Sequence, residues 1–142
     1  MPTGRCLCGA VTYAFSGSPA MVFHCYCRDC QRAGGSLVHV GVMLPEAAVT
    51  AQGELRAYTC AADSGRRLTR EFCPTCGSGV FNRIELAPGM VVIRAGTLDD
   101  PLAFQPTFEL YARTRPPWLD ARDLRSFEAD VTVGPAELRY PG

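Results

Sequence analysis

Cysteine is the residue type in this sequence with the clearest capacity for chemistry. The chain has eight cysteines, and seven of them fall in three tight clusters. The clusters are Cys6-Leu-Cys8, Cys25-Tyr-Cys27-Arg-Asp-Cys30 and Cys73-Pro-Thr-Cys76. Spacings of one or two residues bring several thiolates to one point, as a metal ion requires, whereas a disulfide framework spreads its cysteines to join distant loops. The sequence therefore favours metal binding over disulfide bonds.

The first and third clusters together offer the four ligands of a structural zinc site. Cys73-Pro-Thr-Cys76 followed by Gly77 has the form of a zinc knuckle, in which proline shapes the turn and glycine lets the backbone pass close to the metal. A knuckle gives two thiolates and needs a second pair, which Cys6 and Cys8 can supply. The spacing predicts a closed four-cysteine zinc site that ties the N-terminus to the middle of the chain.

The central cluster is predicted to hold a second zinc ion. Cys25, Cys27 and Cys30 offer three thiolates, and three protein ligands with one open position are typical of a catalytic zinc. A fourth protein ligand would make the site structural instead; the candidates are Cys60, His24 and His39. Cys60 is the strongest of these, because in an extended strand His24 points away from the face that Cys25 uses. Spacing alone leaves both interpretations open.

A zinc ion with three thiolate ligands carries a net negative charge and is a weak Lewis acid, so it is poorly suited to activating water. A substrate thiol in the fourth position would be deprotonated at neutral pH, because zinc lowers its pKa. Its sulfur could add to an aldehyde carbon and give an S-hydroxymethyl adduct, in a reversible carbon–sulfur lyase reaction without a redox cofactor. Arg28 and Arg32 flank the cluster and are the candidates for binding the carboxylates of a thiol such as glutathione.

Length, composition and charge limit the functions that remain. The chain of 142 residues is long enough for one domain, predicted to span residues 1–142. Basic and acidic residues number 14 each, so no excess charge favours nucleic acid or an acidic membrane. All basic residues are arginine, and the absence of lysine excludes Schiff-base catalysis and a Walker-type phosphate loop. Without an apolar run long enough for a signal peptide or a membrane span, we expect a cytoplasmic protein with reduced thiols.

The elements that must position the cysteines are predicted to be short β-strands. Eleven prolines and 14 glycines separate runs of alternating apolar and polar residues, which indicates a mainly β, antiparallel fold. Asp29 is a candidate N-cap for one short helical turn that ends at Gly34-Gly35. The predicted strands cover residues 10–15, 21–25, 37–43, 55–59, 67–72, 79–84, 90–95, 108–113 and 131–133.

Taken together, the motifs resemble the glutathione-dependent formaldehyde-activating enzyme family, which also includes centromere protein V. The resemblance is carried by Gly4-x-Cys6-x-Cys8-Gly9, His24-Cys25-x-Cys27-x-x-Cys30 with Gly34 after it, Arg70-x-Phe72-Cys73-x-x-Cys76-Gly77-Ser78, Gly96-x-Leu98-Asp99-Asp100-Pro101 and Pro117-Trp118. Three spaced cysteine clusters in this order are a specific signal, and the motifs extend over nearly the whole chain.

The resemblance implies both a fold and a reaction. The implied fold is an arrangement of zinc-stapled antiparallel sheets, tent-like in shape, with short helical turns. Two zinc ions per chain are implied, with the catalytic one on Cys25, Cys27 and Cys30. The structural one would be held by Cys6, Cys8, Cys73 and Cys76. The implied partners are a small-molecule thiol and an aldehyde, as glutathione and formaldehyde are, with neither nucleic acid nor a membrane.

Two residues depart from the family's pattern. Glu109 stands where the family usually has histidine, in the strand before Pro117-Trp118, and Cys60 stands where a small hydroxyl residue is more common. A carboxylate close to an anionic zinc–thiolate centre would repel an anionic thiol, so Glu109 predicts weaker glutathione binding.

Three alternatives to a thiol–aldehyde enzyme follow from the same residues. The first is a zinc-stabilised binding module, which the neutral chain without a basic tail disfavours. The second is a purely structural domain with two zinc ions, in which Cys60 closes the second site. The third is a zinc hydrolase, which a thiolate-rich set of ligands disfavours.

Overall fold

The computed structural model describes residues 1–120 and 123–142, and within them the chain forms eleven β-strands and one α-helix. The strands are β1 (Thr3–Arg5), β2 (Thr12–Phe15), β3 (Met21–Cys25), β4 (His39–Pro45), β5 (Val49–Gln52), β6 (Arg56–Ala61), β7 (Arg67–Phe72), β8 (Gly79–Ile84), β9 (Met90–Arg94), β10 (Phe108–Leu110) and β11 (Arg125–Ser126). Helix α1 spans Arg28–Gly34, and the remaining helical pieces are short 3-10 turns. The prediction of a mainly β protein with short helical turns is confirmed.

The strands form two sheets. The small sheet has the order β1-β2-β5, and the large sheet has the order β11-β10-β3-β4-β9-β8-β7-β6. Neighbouring strands from β3 to β6 in the large sheet pair antiparallel. Strand β10 instead pairs parallel to both β3 and β11, a difference from the antiparallel prediction. The long connection of residues 95–107 between β9 and β10 allows this, because a parallel neighbour requires a crossover rather than a tight turn.

Two apolar clusters cover the two faces of the large sheet. Successive residues of a strand point to opposite faces, so Val22 and Phe23 belong to different clusters. The cluster of Val22 includes Tyr13 and Phe15 of β2 and therefore joins the large sheet to the small one. The cluster of Phe23 includes Leu138 near the C-terminus, so the chain end covers the opposite face.

Seven of the nine predicted strands match strands of the structure closely, and the two predictions nearest the C-terminus do not. Residues 131–133, predicted as a strand, lie in an irregular segment. The predicted strand of residues 108–113 ends at Leu110, because the next residue, Tyr111, has a φ of 55°. Strands β1, β5 and β11 were not predicted, since each has only two to four residues and too little alternation to show a period. No helix of the described residues is both long and apolar enough to span a membrane.

Candidate metal centres and the adjoining cavity

The first group of cysteines connects the two sheets. Cys6 and Cys8 follow β1 of the small sheet, and Cys73 and Cys76 lie between β7 and β8 of the large sheet. The four Sγ atoms all lie within 4.8 Å of one another, with 3.6 Å between Cys6 and Cys8 and 3.8 Å between Cys8 and Cys73. Zinc–sulfur bonds of about 2.3 Å in a tetrahedron put neighbouring sulfurs about 3.8 Å apart. The predicted four cysteines therefore come together in an arrangement that fits zinc.

Hydrogen bonds around Ser78 hold the two halves of this group in place. The Leu7 N–H, between Cys6 and Cys8, donates to Ser78 Oγ at 3.1 Å, and Ser78 Oγ lies 3.2 Å from Cys76 Sγ. The side chain and backbone of Ser78 lower the pKa of Cys76 to about 5, since both stabilise its thiolate. Gly77 adopts a φ of 77°, which closes the knuckle with a hydrogen bond from its N–H to the Cys73 carbonyl.

The second group lies where β3 turns into α1. Cys25 is the last residue of β3 and Cys30 lies in α1; the Sγ atoms of Cys25, Cys27 and Cys30 are all within 4.8 Å of one another. The N-cap of α1 is Cys27 rather than the predicted Asp29, and its Sγ accepts a hydrogen bond from the Cys30 N–H at 3.3 Å. The helix ends at Gly34, and Gly35 follows as its C-cap with a φ of 63°, as the Gly-Gly pair predicts. The cap thus helps to hold the Cys27 sulfur close to the sulfurs of Cys25 and Cys30.

Arg70 of β7 lies between this group and Cys60. Its Nη1 donates to Cys60 Sγ at 3.5 Å and its Nη2 donates to Cys30 Sγ at 3.7 Å. Cys60 does not belong to the group of sulfurs that lie within 4.8 Å of one another. His24 turns to the other face of β3, where its Nδ1 lies 3.1 Å from the Tyr26 hydroxyl oxygen. Among the described residues, the second group therefore has three thiols and no fourth cysteine.

A second arginine, Arg94 of β9, lies beside the same group. A Cβ atom at Gly79 would lie 2.5 Å from Arg94 Nη1, so glycine at this position gives the guanidinium its room. Nε and Nη2 of Arg94 are buried and have no hydrogen-bond partner. Burial lowers the pKa of Arg94, whereas the nearby Cys30 opposes that shift. Two guanidinium groups thus place positive charge next to the three cysteines.

The charge around the second group is distributed unevenly among its thiols. The neighbouring thiols Cys25 and Cys27, and then Arg70, lower the pKa of Cys30 to about 3. The same sharing of one site raises the pKa of Cys25. The group therefore has a stabilised anion on the side that faces Arg70.

A cavity of about 470 Å³ adjoins the second group, and Cys25, Cys27 and Cys30 form part of its wall. Strands β3, β4, β9 and β10 give it mostly apolar side chains; these are Met21, Phe23, Met43, Val92, Phe108 and Leu110. The turn between β6 and β7, together with the first residue of β7, gives it charged residues, among them Asp63, Arg66 and Arg67. Asp63 accepts a hydrogen bond from Arg113 at 3.5 Å, so this turn reaches across to the chain that follows β10.

The predicted substrate-binding arginines lie elsewhere. Arg28 and Arg32 are exposed on α1, Arg28 donates to the side chain of Gln31, and neither arginine lines the cavity. Their role with a substrate stays a prediction. The arginines that do line the cavity, Arg66, Arg67 and Arg70, come from one strand and the turn before it.

Three uncharged polar side chains face the cavity near the cysteines. His39 is buried, and burial together with Arg94 lowers its pKa to about 3, so its imidazole is neutral. His39 Nε2 lies 3.4 Å from Asn82 Nδ2, whereas Asn82 Oδ1 is buried without a partner. Burial raises the pKa of Tyr111 to about 12, so its hydroxyl keeps its proton. The positive φ of Tyr111 is a strained conformation for a side chain of this size and turns the chain immediately after β10.

Glu109 lies on the other side of β10 from the cavity. Its neighbours Phe108 and Leu110 line the cavity, and the alternation of the strand turns Glu109 away from it. The fully buried carboxylate lies 3.0 Å from Arg115 and accepts a hydrogen bond from Ser126 at 2.9 Å. The expectation of a repulsive carboxylate beside the zinc–thiolate centre is therefore corrected: this charge is paired inside the protein and does not face the cavity.

Two half-buried arginines, Arg70 and Arg94, are the site residues that the sequence pattern missed. Arg70 belongs to a motif of the resemblance, but nothing in its spacing shows that its guanidinium reaches a cysteine forty residues earlier. For Arg94 a weak signal exists: it ends the apolar run of β9, and a strand buried on both faces does not usually carry an unpaired arginine.

Comparisons with known proteins agree with this architecture. A sequence model of the glutathione-dependent formaldehyde-activating enzyme family matches residues 1–114. No curated protein matches the chain. Among solved structures, a protein of Rhodobacter sphaeroides from a structural genomics programme is similar, with 21% sequence identity and a TM-score of 0.56. That match covers 73% of this chain and 97% of the other, and it indicates a shared fold.

Proposed function

This chain belongs to the glutathione-dependent formaldehyde-activating enzyme family, and we propose that it adds a small thiol to an aldehyde at the group of Cys25, Cys27 and Cys30. In this reaction a carbon–sulfur bond forms, the carbonyl double bond becomes a single bond, and the thiol proton ends on the new hydroxyl group. With glutathione and formaldehyde the product is S-(hydroxymethyl)glutathione. No electrons are transferred to a cofactor, and the reverse direction is a carbon–sulfur lyase reaction.

The observation that carries this proposal is the three-thiol group with two arginines beside it. The three sulfurs lie within 4.8 Å of one another, which suits zinc with one position left for a ligand from outside the chain. Zinc bound there would lower the pKa of an entering thiol. Three thiolates with Zn²⁺ leave one net negative charge, whereas Arg70 and Arg94 bring two positive charges. The surroundings therefore favour one further anion, which a substrate thiolate provides.

The uncharged polar residues of the cavity have a role at the aldehyde oxygen. Negative charge develops on that oxygen as the sulfur attacks, and donors aimed at it stabilise the transition state. The Tyr111 hydroxyl, protonated at neutral pH, and the Asn82 amide are donors that line the cavity. The neutral His39 beside Asn82 fixes the amide, since the two side chains contact each other.

The remaining parts of the proposal concern the thiol's charged ends and the first group of cysteines. Arg66 and Arg67 line the cavity and can bind carboxylates of a thiol such as glutathione. The first group has four sulfurs and thus no open position, so we assign it a structural zinc ion. With two zinc–thiolate centres that depend on reduced cysteines, a cytoplasmic location fits the proposed activity.

X-ray absorption at the zinc edge, with and without glutathione, tests the open position. The proposal predicts seven protein sulfurs for two zinc ions, and a rise in the mean number of sulfurs per zinc from 3.5 to 4 on addition of glutathione. In parallel, NMR with ¹³C-formaldehyde and glutathione measures adduct formation above the spontaneous rate. A spectrum that already shows four sulfurs per zinc, together with no acceleration, would identify a structural two-zinc module instead.

A further inference from the structure

The cavity is far larger than formaldehyde needs. Formaldehyde has two heavy atoms and takes the space of roughly two water molecules, about 60 Å³. The cavity beside Cys25, Cys27 and Cys30 has a volume of about 470 Å³, in the range of cavities that hold ligands of about 300–1,000 Å³. The thiol's charged ends suit the side of this cavity that Arg66 and Arg67 line, and the apolar part that remains has room for further atoms attached to the reacting carbon.

The chemistry of the walls indicates what those atoms are. From Cys25 the wall runs along β3 through Phe23 to Met21, about 13 Å for four residue steps. Met43 is the partner of Met21 on β4, and Val92 is the partner of Met43 on β9, so the wall stays apolar across three strands. A charged or strongly polar group placed on this surface would lose its hydration without gaining a partner. This part of the cavity suits hydrocarbon.

The C-terminal segment closes the apolar part of the cavity. Val131, Val133, Pro135 and Leu138 line it, and Leu138 packs in the same cluster as Phe23. All four lie beyond residues 1–114, the part of the chain that the family model matches. The segment therefore gives this chain a wall that membership of the family alone does not predict.

We propose that the aldehyde used by this protein carries an apolar substituent of several carbon atoms, and that this substituent occupies the chamber formed by Met21, Phe23, Met43, Val92, Val133 and Leu138. The inference rests on the proposed function for its reaction: the sulfur of the thiol bonds to the carbonyl carbon, and the thiol proton passes to the oxygen. The charged ends of a glutathione-like thiol then lie at the turn between β6 and β7, where Arg66 and Arg67 line the cavity.

Binding of unreactive analogues tests the chamber separately from catalysis. Linear primary amides from acetamide to hexanamide are titrated into zinc-loaded protein by NMR, with and without saturating glutathione. Burial of each methylene group contributes about 0.8 kcal/mol, so we expect affinity to rise about fourfold per carbon. Affinity that does not change with chain length overturns the proposal, and so does competition between hexanamide and glutathione, which would assign the chamber to the thiol.

Three variants test whether the amides bind in the chamber. Val133→Trp fills the chamber and is expected to abolish the increase with chain length, whereas Leu102→Trp, at a residue 88% exposed and outside the cavity, retains it. Val133→Ala is a second variant that enlarges the chamber and should weaken hexanamide binding less than Val133→Trp does. Chain-length-dependent binding without any thiol–aldehyde reaction would support the chamber and contradict the proposed function. A fast reaction of formaldehyde, together with amide binding that does not depend on chain length, would support the proposed function and contradict the chamber.

Discussion

At the scale of single residues, Arg70 places positive charge directly beside the second cysteine group. Its guanidinium contacts Cys30 and Cys60 with different nitrogens, so it occupies the space between the two sulfurs. A sulfur in that space would have to displace the half-buried guanidinium of Arg70 from a thiolate, and the loss of a charge-assisted hydrogen bond opposes this. Cys60 thus accepts a hydrogen bond from Arg70 and lies outside the group of three sulfurs, so we expect that it does not complete a metal site.

This arrangement predicts the zinc content of two cysteine variants. Cys60→Ser should still bind two zinc ions per chain, because the serine hydroxyl can accept the hydrogen bond from Arg70 and no ligand is lost. Cys27→Ser should bind one zinc ion, because it removes one of three adjacent sulfurs. Elemental analysis of the purified proteins measures both, and loss of a zinc ion from Cys60→Ser would make Cys60 a ligand.

A second prediction at this scale separates two pairs of arginines. Replacing Arg66 and Arg67 together by methionine should raise KM for glutathione about tenfold or more, since one charge-assisted hydrogen bond is worth about 1.5–3 kcal/mol. The matched variant with Arg28 and Arg32 replaced by methionine should change KM less than twofold, because neither of these arginines lines the cavity. Steady-state kinetics with varied glutathione concentration measure both KM values. A larger increase in KM for the Arg28 and Arg32 variant would show that the carboxylates of glutathione bind at α1 instead.

The sequence predicts the cysteines at this scale but not the arginines. Each cysteine cluster follows from spacing, because residues one to three apart are close in space whatever the fold, and the joining of Cys6 and Cys8 to the knuckle follows from zinc's need for four ligands. Arg28 and Arg32 are close to the cysteines along the chain, yet they point outward from the helix that Cys27 caps. Arg70 and Arg94 reach the cysteines only through the pairing of β7, β8 and β9, which spacing does not encode.

At the scale of elements, strand β10 is another feature whose place in the sheet the sequence pattern does not predict. It has three residues, too few for a pattern to indicate its direction, and it enters the sheet parallel to β3. Its position depends on an ion pair that is buried on one side, since the buried Glu109 accepts a hydrogen bond from Ser126 of β11 and contacts the half-buried Arg115 in the chain beyond. This pair fixes β10, whose other face supplies Phe108 and Leu110 to the cavity.

Breaking this ion pair should destabilise the protein strongly. Arg115→Met leaves the fully buried carboxylate of Glu109 without its cation, which costs about 3 kcal/mol of unfolding free energy in comparable cases. Arg5→Met is the control, because Arg5 and Asp99 are exposed and 4.0 Å apart, and such a pair contributes less than about 1 kcal/mol. Urea unfolding measures both. Equal, small effects would show that Glu109 finds another partner.

At the scale of the whole molecule, the two cysteine groups have different mechanical roles. The first joins residues that lie almost seventy positions apart and in different sheets, whereas the second joins residues within one turn of chain. When the unfolded chain has no preformed site, the free energy of metal binding is also free energy of folding. With zinc bound, we therefore expect the first group to couple the small sheet to the large one and the second to add little to their association.

Two serine variants separate these roles. Cys76→Ser should lower the free energy of unfolding by about 5 kcal/mol or more, since it removes one of four ligands that join the sheets, and a shift of that size lowers Tm by roughly 10–20 °C. Cys27→Ser should lower Tm by only a few degrees and keep the circular dichroism of the native protein. Calorimetry with zinc analysis of the same samples measures both effects. If Cys27→Ser unfolds while Cys76→Ser stays stable, the second group would be the structural one and the first would not. This test needs no knowledge of the substrate.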